Sequence, residues 1–128
     1  MAIYDQVTIP ASAQDLPIAY DYNEKLFICF ISSIDPVTKQ PWCPDVRAAL
    51  PRLEKIFGSQ DAPKLAYVHV GQKLEWNSLE NKYRKDWGIS AVPTLVCFQR
   101  INNTVEATGR LVEGELIDDE KLSSFAAQ

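Results

Sequence analysis

Residues 42–46 read Trp-Cys-Pro-Asp-Val, a reactive-thiol arrangement with one half replaced. Dithiol redox sites place cysteines at positions i and i+3 at the mouth of a helix, so that one turn brings the two sulfurs within bridging distance. Here the i+3 position is Val46. Cys43 keeps the capacity to attack a disulfide, and the adjacent thiol that would release the product is missing.

Working outward from that stretch, Val46, Ala49, Leu50, Leu53, Ile56 and Phe57 recur at three- and four-residue spacing. They predict one buried helical face closing at Gly58 and kinked at Pro51. Upstream, a polar loop from Ser32 to Pro41 follows the apolar run Leu26–Ile31, which reads as a central strand covered on both faces. Ala2–Ile9 predicts a short strand ending at Pro10, and Ser12 with Asp15 predicts the cap of a first helix that buries Leu16, Ala19 and Tyr20 and is shortened by Pro17. Downstream, Leu65–Val70 is a strand ending at Gly71, and Asn77 with Glu80 predicts a helix with the stripe Leu79, Tyr83 and Trp87. Pro93 introduces a strand over Thr94–Phe98, and the turn Asn102-Asn103 leads to an antiparallel partner over Thr104–Ala107. A last helix, starting near Leu116 or Asp118, turns Leu122 and Phe125 inward. The order β-α-β-α-β-α-β-β-α implies an α/β fold with a central mixed β-sheet and helices on both faces.

The chain has 128 residues, which reads as one domain over residues 1–128. Its three cysteines, Cys29, Cys43 and Cys97, are odd in number and scattered, against a secreted disulfide framework. Met1–Gln6 has no basic segment with an apolar run behind it, and Leu26–Ile31 is far short of a membrane span. A cytoplasmic home and no membrane partner are expected. The formal charge of −4, with both signs interspersed, leaves no positive stripe for phosphates, so no nucleic-acid partner is expected either.

Several residues together resemble a known family: Trp42-Cys43-Pro44-Asp45, Pro51, the loop before Trp42 with Asp35 and Lys39, Val70-Gly71 with Lys73 and Trp76, then Asn81, Tyr83, Arg84 and Lys85, and Ala91-Val92-Pro93-Thr94. The chain resembles the thioredoxin-like Clot family, also called thioredoxin domain-containing protein 17-like, over nearly its whole length. The resemblance implies a thioredoxin fold and reduction of small or peptide-borne disulfides with electrons from thioredoxin reductase. In that family the motif ends in a second cysteine, where this chain has Val46. The resemblance also implies a cis bond before Pro93 that faces the reactive sulfur, with the Val92 backbone offered to an extended substrate. Trp42, Pro44, Asp45, Val46, Val92 and Pro93 then form the substrate-binding surface around a catalytic Cys43.

A thiol at a helix N-terminus meets unpaired backbone N–H groups and the positive end of the dipole, which favour thiolate, whereas the charge of Asp45 opposes it. Asp45 is also expected to disfavour acidic partners. Cys29 falls, by the resemblance, where thioredoxins carry a buried carboxylate; it reads as a buried apolar residue with a minor redox role as the alternative. Cys97 lies about 13 Å along a strand from Pro93 and out of reach. His69 has no ligand-spaced companion, so no metal site and no cofactor are expected. Lys82, Arg84 and Lys85 read as a solvated helix face, and Tyr83 and Trp87 as core. Two functions follow. One is a monothiol oxidoreductase, in which Cys43 attacks disulfide-bearing or glutathionylated peptides and proteins, or small disulfides, and an external thiol such as glutathione completes the cycle. The other is a redox-inactive thioredoxin-fold module that binds peptides or partners beside Pro93.

Overall fold

The computed structural model of the chain describes residues 3–18 and 24–128. Its elements are β1 (Ile3–Tyr4), a 3-10 turn (Ala13–Asp15), β2 (Lys25–Ile31), α1 (Pro44–Phe57), β3 (Lys64–His69), α2 (Lys73–Asn77), α3 (Lys82–Trp87), β4 (Thr94–Ile101), β5 (Thr104–Val112), a second 3-10 turn (Glu113–Ile117) and α4 (Asp119–Ala126). The strands form one sheet in the order β1-β3-β2-β4-β5. β1, β2 and β3 run parallel, and β4 and β5 pair antiparallel. This is the mixed sheet implied by alternating elements followed by a late hairpin.

The continuous apolar run of β2 is explained by its place at the centre. Phe27 and Cys29 point to one face, where Phe27 meets Phe57 of α1 at 5.1 Å and Phe125 of α4 at 5.6 Å between ring centroids. Phe30 points to the other, against Tyr83 and Trp87 of α3. Alternation of side chains along a strand requires this division. α1 buries Val46, Ala49, Leu53 and Phe57, with Leu50 and Ile56 of the predicted face only partly buried against the core, and runs through Pro51.

Four local expectations are corrected. The first strand is only Ile3–Tyr4, because the chain then bends at Gln6, whose φ is 52°. The first helix is a single 3-10 turn in which Ser12 Oγ accepts from Gln14 N; Ala19 and Tyr20 lie outside the described residues. The helix expected from Asn77 is two short helices, with Leu79 83% exposed between them. The cap of the second is Asn81, whose side chain accepts from Tyr83 N and donates to the carbonyls of Val70 and Glu75. β5 extends to Val112, past a register shift opposite Cys97/Phe98, because a bulge absorbs one residue without ending the ladder. The turn residues Asn102 and Asn103 have φ of 51° and 69°, which short polar side chains tolerate.

Candidate active site around Cys43

In open α/β sheets the loops after the carboxyl ends of parallel strands gather at one edge. Here the chain leaving β2 forms a loop closed by the Ile34–Pro41 bridge and then enters α1. Cys43 is the N-cap of α1, with Pro44 at the first helical position, where a missing N–H costs nothing. The thiol is half-buried.

Two serines hold this helix start in place. Ser32 is wholly buried, and its hydroxyl accepts the Cys43 backbone N–H at 3.2 Å. Ser33 ties the same loop to the end of β3: its hydroxyl accepts from Gly71 N at 2.9 Å and its own N–H donates to Gly71 O at 3.2 Å. The Trp42 indole donates to the same Gly71 carbonyl at 2.9 Å. The ring beside the sulfur is therefore anchored rather than free to swing.

The opposite wall is Ala91-Val92-Pro93-Thr94. The Val92–Pro93 bond is cis, and Cys43 Sγ lies 3.7 Å from Val92 O. Thr94, buried at the start of β4, donates its hydroxyl to Ala91 O at 2.6 Å and so fixes the loop. Beyond it, Glu113 N donates to Pro93 O at 2.8 Å. Thus Trp42, Cys43, Pro44, Val92 and Pro93 are brought together. Asp45 is exposed in the first turn of α1, whereas Val46 is completely buried.

Neither other cysteine reaches this surface. All three thiols are free, and Cys29 and Cys97 are buried. Cys29 has no exposed surface at all, and burial pushes its thiol far up from the ordinary range. Tyr67, its register partner on the neighbouring strand β3, is also pushed up, first by burial and then by the charges of Cys29, Glu54 and Asp5. Its hydroxyl is buried without a hydrogen-bond partner among the described residues.

Other sequence candidates fall elsewhere. His69 Nε2 pairs with Asp5 Oδ1 at 2.8 Å, joining the N-terminal segment to β3. Arg84 is not part of a solvated face: its guanidinium stacks 3.8 Å from the Trp76 ring centre and donates to Trp76 O at 2.6 Å. A cation beside an indole gains from the ring quadrupole as well as from the hydrogen bond. Ser32, Ser33 and Glu113 were not singled out from the sequence. For the serines a signal existed, since two hydroxyls directly after the apolar strand stand at the edge where α/β sites gather; for Glu113 there was none, because its nearness to Pro93 depends on the β4–β5 register.

A half-buried sulfur at a helix start, set across from a cis-proline at the edge of a mixed sheet, puts the chain in the thioredoxin-like class of redox proteins. The chain belongs to the thioredoxin domain-containing protein 17-like family, whose thioredoxin domain matches residues 12–122. A thioredoxin domain-containing protein of Schizosaccharomyces pombe is 43% identical over 103 residues, 80% of this chain and 83% of that protein. The thioredoxin-like protein Clot of Arabidopsis thaliana is 32% identical over 93 residues, 70% of this chain and 69% of that protein. Among solved structures, Trxlp of Edwardsiella tarda covers 89% of this chain and 86% of its own with a TM-score of 0.53 and 15% identity, a likeness of fold alone.

Proposed function

We propose that this protein is a thiol-disulfide oxidoreductase that works through Cys43 alone. The observation that carries the proposal is the half-buried Cys43 Sγ set 3.7 Å from Val92 O, with a buried valine where the same helix turn would otherwise supply a second sulfur. The Cys43 thiolate attacks a disulfide R–S–S–R, forming Cys43–S–S–R and releasing R–S⁻. An external thiolate R′–S⁻ then attacks the Cys43 sulfur–sulfur bond, giving R–S–S–R′ and regenerating the Cys43 thiolate. Electrons and atoms balance without a second protein cysteine. Substrates are disulfide-bearing or glutathionylated peptides and proteins, or small disulfides. Glutathione is one external thiol of the right kind, and thioredoxin reductase is an upstream electron source. An extended substrate chain would lie along the Val92 backbone in a short β-type pairing. A reducing cytoplasm suits three free cysteines, and among the described residues no helix is long and apolar enough to cross a membrane.

The test compares the parent with Cys43→Ser and Val46→Cys in a disulfide-reduction assay run with glutathione or with thioredoxin reductase. The expected outcome is glutathione-dependent turnover in the parent, loss of turnover in Cys43→Ser, and a gain of about tenfold or more in Val46→Cys with the reductase, because an adjacent thiol makes resolution intramolecular. Absence of turnover in the parent, together with capture of a partner that survives Cys43→Ser, would instead identify a peptide-binding module with no redox cycle.

A further inference from the structure

Two acidic residues come from the chain segments on either side of Cys43: one from α1 and one from the turn after β5. Asp45 stands two residues beyond Cys43 in the first turn of α1, and Glu113 is hydrogen-bonded through its backbone to Pro93 O on the opposite wall. Both are exposed, and neither has an ion-pair partner among the described residues. Glu115, close by in sequence, is already engaged, with Oε1 accepting from Val112 N and Oε2 3.6 Å from Lys121 Nζ. The backbone at Glu113 has a φ of 51°, a left-handed conformation that a side chain makes unfavourable and glycine relieves. Gly114 stands one position later, outside the left-handed region. A glutamate is thus held where glycine would sit more easily, one backbone hydrogen bond from Pro93.

Cations are also near. Arg47 turns its guanidinium back to Pro41 O at 2.6 Å. Lys73 starts α2, two residues beyond the Gly71 carbonyl that holds Trp42. Neither stands on the wall formed by Pro93 and Glu113.

We infer that Asp45 and Glu113 sort the exchange partners of Cys43 by charge, favouring cationic and neutral disulfides and thiols over anionic ones. This rests on the reading of Cys43 as an exchanging thiol and names the partner class for it. The covalent step is unchanged: a Cys43–S–S–R bond forms as R–S⁻ leaves. The two carboxylates act on the approach of R before that step, through a Coulomb interaction that water weakens and salt screens. Glutathione, with two carboxylates and one ammonium, still completes the exchange but more slowly than amine-bearing thiols and basic peptide segments, which fall on the favoured side.

The test measures second-order rates of mixed-disulfide formation at Cys43 with three small reagents: cystamine, 2-hydroxyethyl disulfide and 3,3′-dithiodipropionate. The readout is the cystamine-to-dithiodipropionate rate ratio, compared between the parent and its variants so that intrinsic reagent reactivity cancels. At low ionic strength the ratio is expected to fall about threefold in Glu113→Gln, about threefold in Asp45→Asn and about tenfold in the double variant, and to shrink in the parent as salt is raised. Glu113→Gly should lose the same discrimination while its thermal midpoint stays level or rises, since glycine suits the φ of that position. Ratios that match the parent in both single variants and the double would overturn the charge sorting while leaving exchange at Cys43 intact. No reaction of Cys43 with any of the three reagents would overturn the redox reading itself.

Discussion

Two cysteines stand on consecutive elements of the fold and live in opposite surroundings. Cys43, at the tip of α1, is half-buried beside an anchored indole and across from a carbonyl. Cys29, in the middle of β2, is sealed on a sheet face between α1 and the strand pairs. The chemistry of the side chain is identical. What differs is access and the ease of carrying charge: burial raises the cost of the Cys29 thiolate, and a thiol kept protonated is a poor nucleophile. A cysteine is thus read as reactive or inert from where the backbone sets it down.

The sharpest way to break this comparison is to label both thiols in the native protein. Iodoacetamide followed by peptide mapping should modify Cys43 at least ~100-fold faster than Cys29, with Cys29 catching up only under denaturing conditions. Comparable native rates would mean that the β2 thiol is reached by solvent.

A second measurement uses pH. Because burial holds the Cys29 thiol above its ordinary value of 9.0, the folded state keeps its proton while the unfolded chain loses it. Stability linked to Cys29 is fully present below pH 9 and declines as pH rises toward the folded value. The expected loss is at most ~1.4 kcal/mol per pH unit, read as denaturation midpoints of the parent against Cys29→Ala. Equal slopes for the two proteins above pH 9 would contradict it.

The smallest effect concerns how Cys43 is held. Ser32→Ala removes the acceptor for the Cys43 N–H and leaves that donor without its partner, at a cost of about 1–2 kcal/mol in denaturant unfolding. The same change should slow disulfide exchange at Cys43, because the start of α1 is less firmly fixed. Unchanged stability and unchanged exchange would reduce the serine to space-filling.

Much of this arrangement is legible in the sequence. β2 announced itself through six successive apolar residues, and α1 through Val46, Ala49, Leu53 and Phe57 at helical spacing, because burial imposes those periods on a chain. The resemblance carried by Trp42-Cys43-Pro44-Asp45 and by Val92-Pro93-Thr94 pointed to two segments that the fold brings into contact. Elements only one or two turns long were misread. Leu79 and Tyr83 stand four apart, yet Leu79 is exposed and Tyr83 buried, because Asn81 breaks the segment by capping α3 and by donating to Val70 O and Glu75 O. A tertiary hydrogen bond overrode a local pattern. Arg84 was misread for the same reason, its place set by the face of Trp76 and not by its charged neighbours.

By itself, the order of residues determined the layered α/β architecture, the placing of Cys43 at a helix start, and the loss of a second sulfur one turn on, since all three depend on neighbours within a few positions of one another. Only the folded molecule decided that the Ser32 hydroxyl holds the Cys43 N–H and that the Glu113 N–H reaches Pro93 O. Those contacts join residues that are distant along the chain, and they exist because strand pairing and helix packing bring three loops to one edge of the sheet.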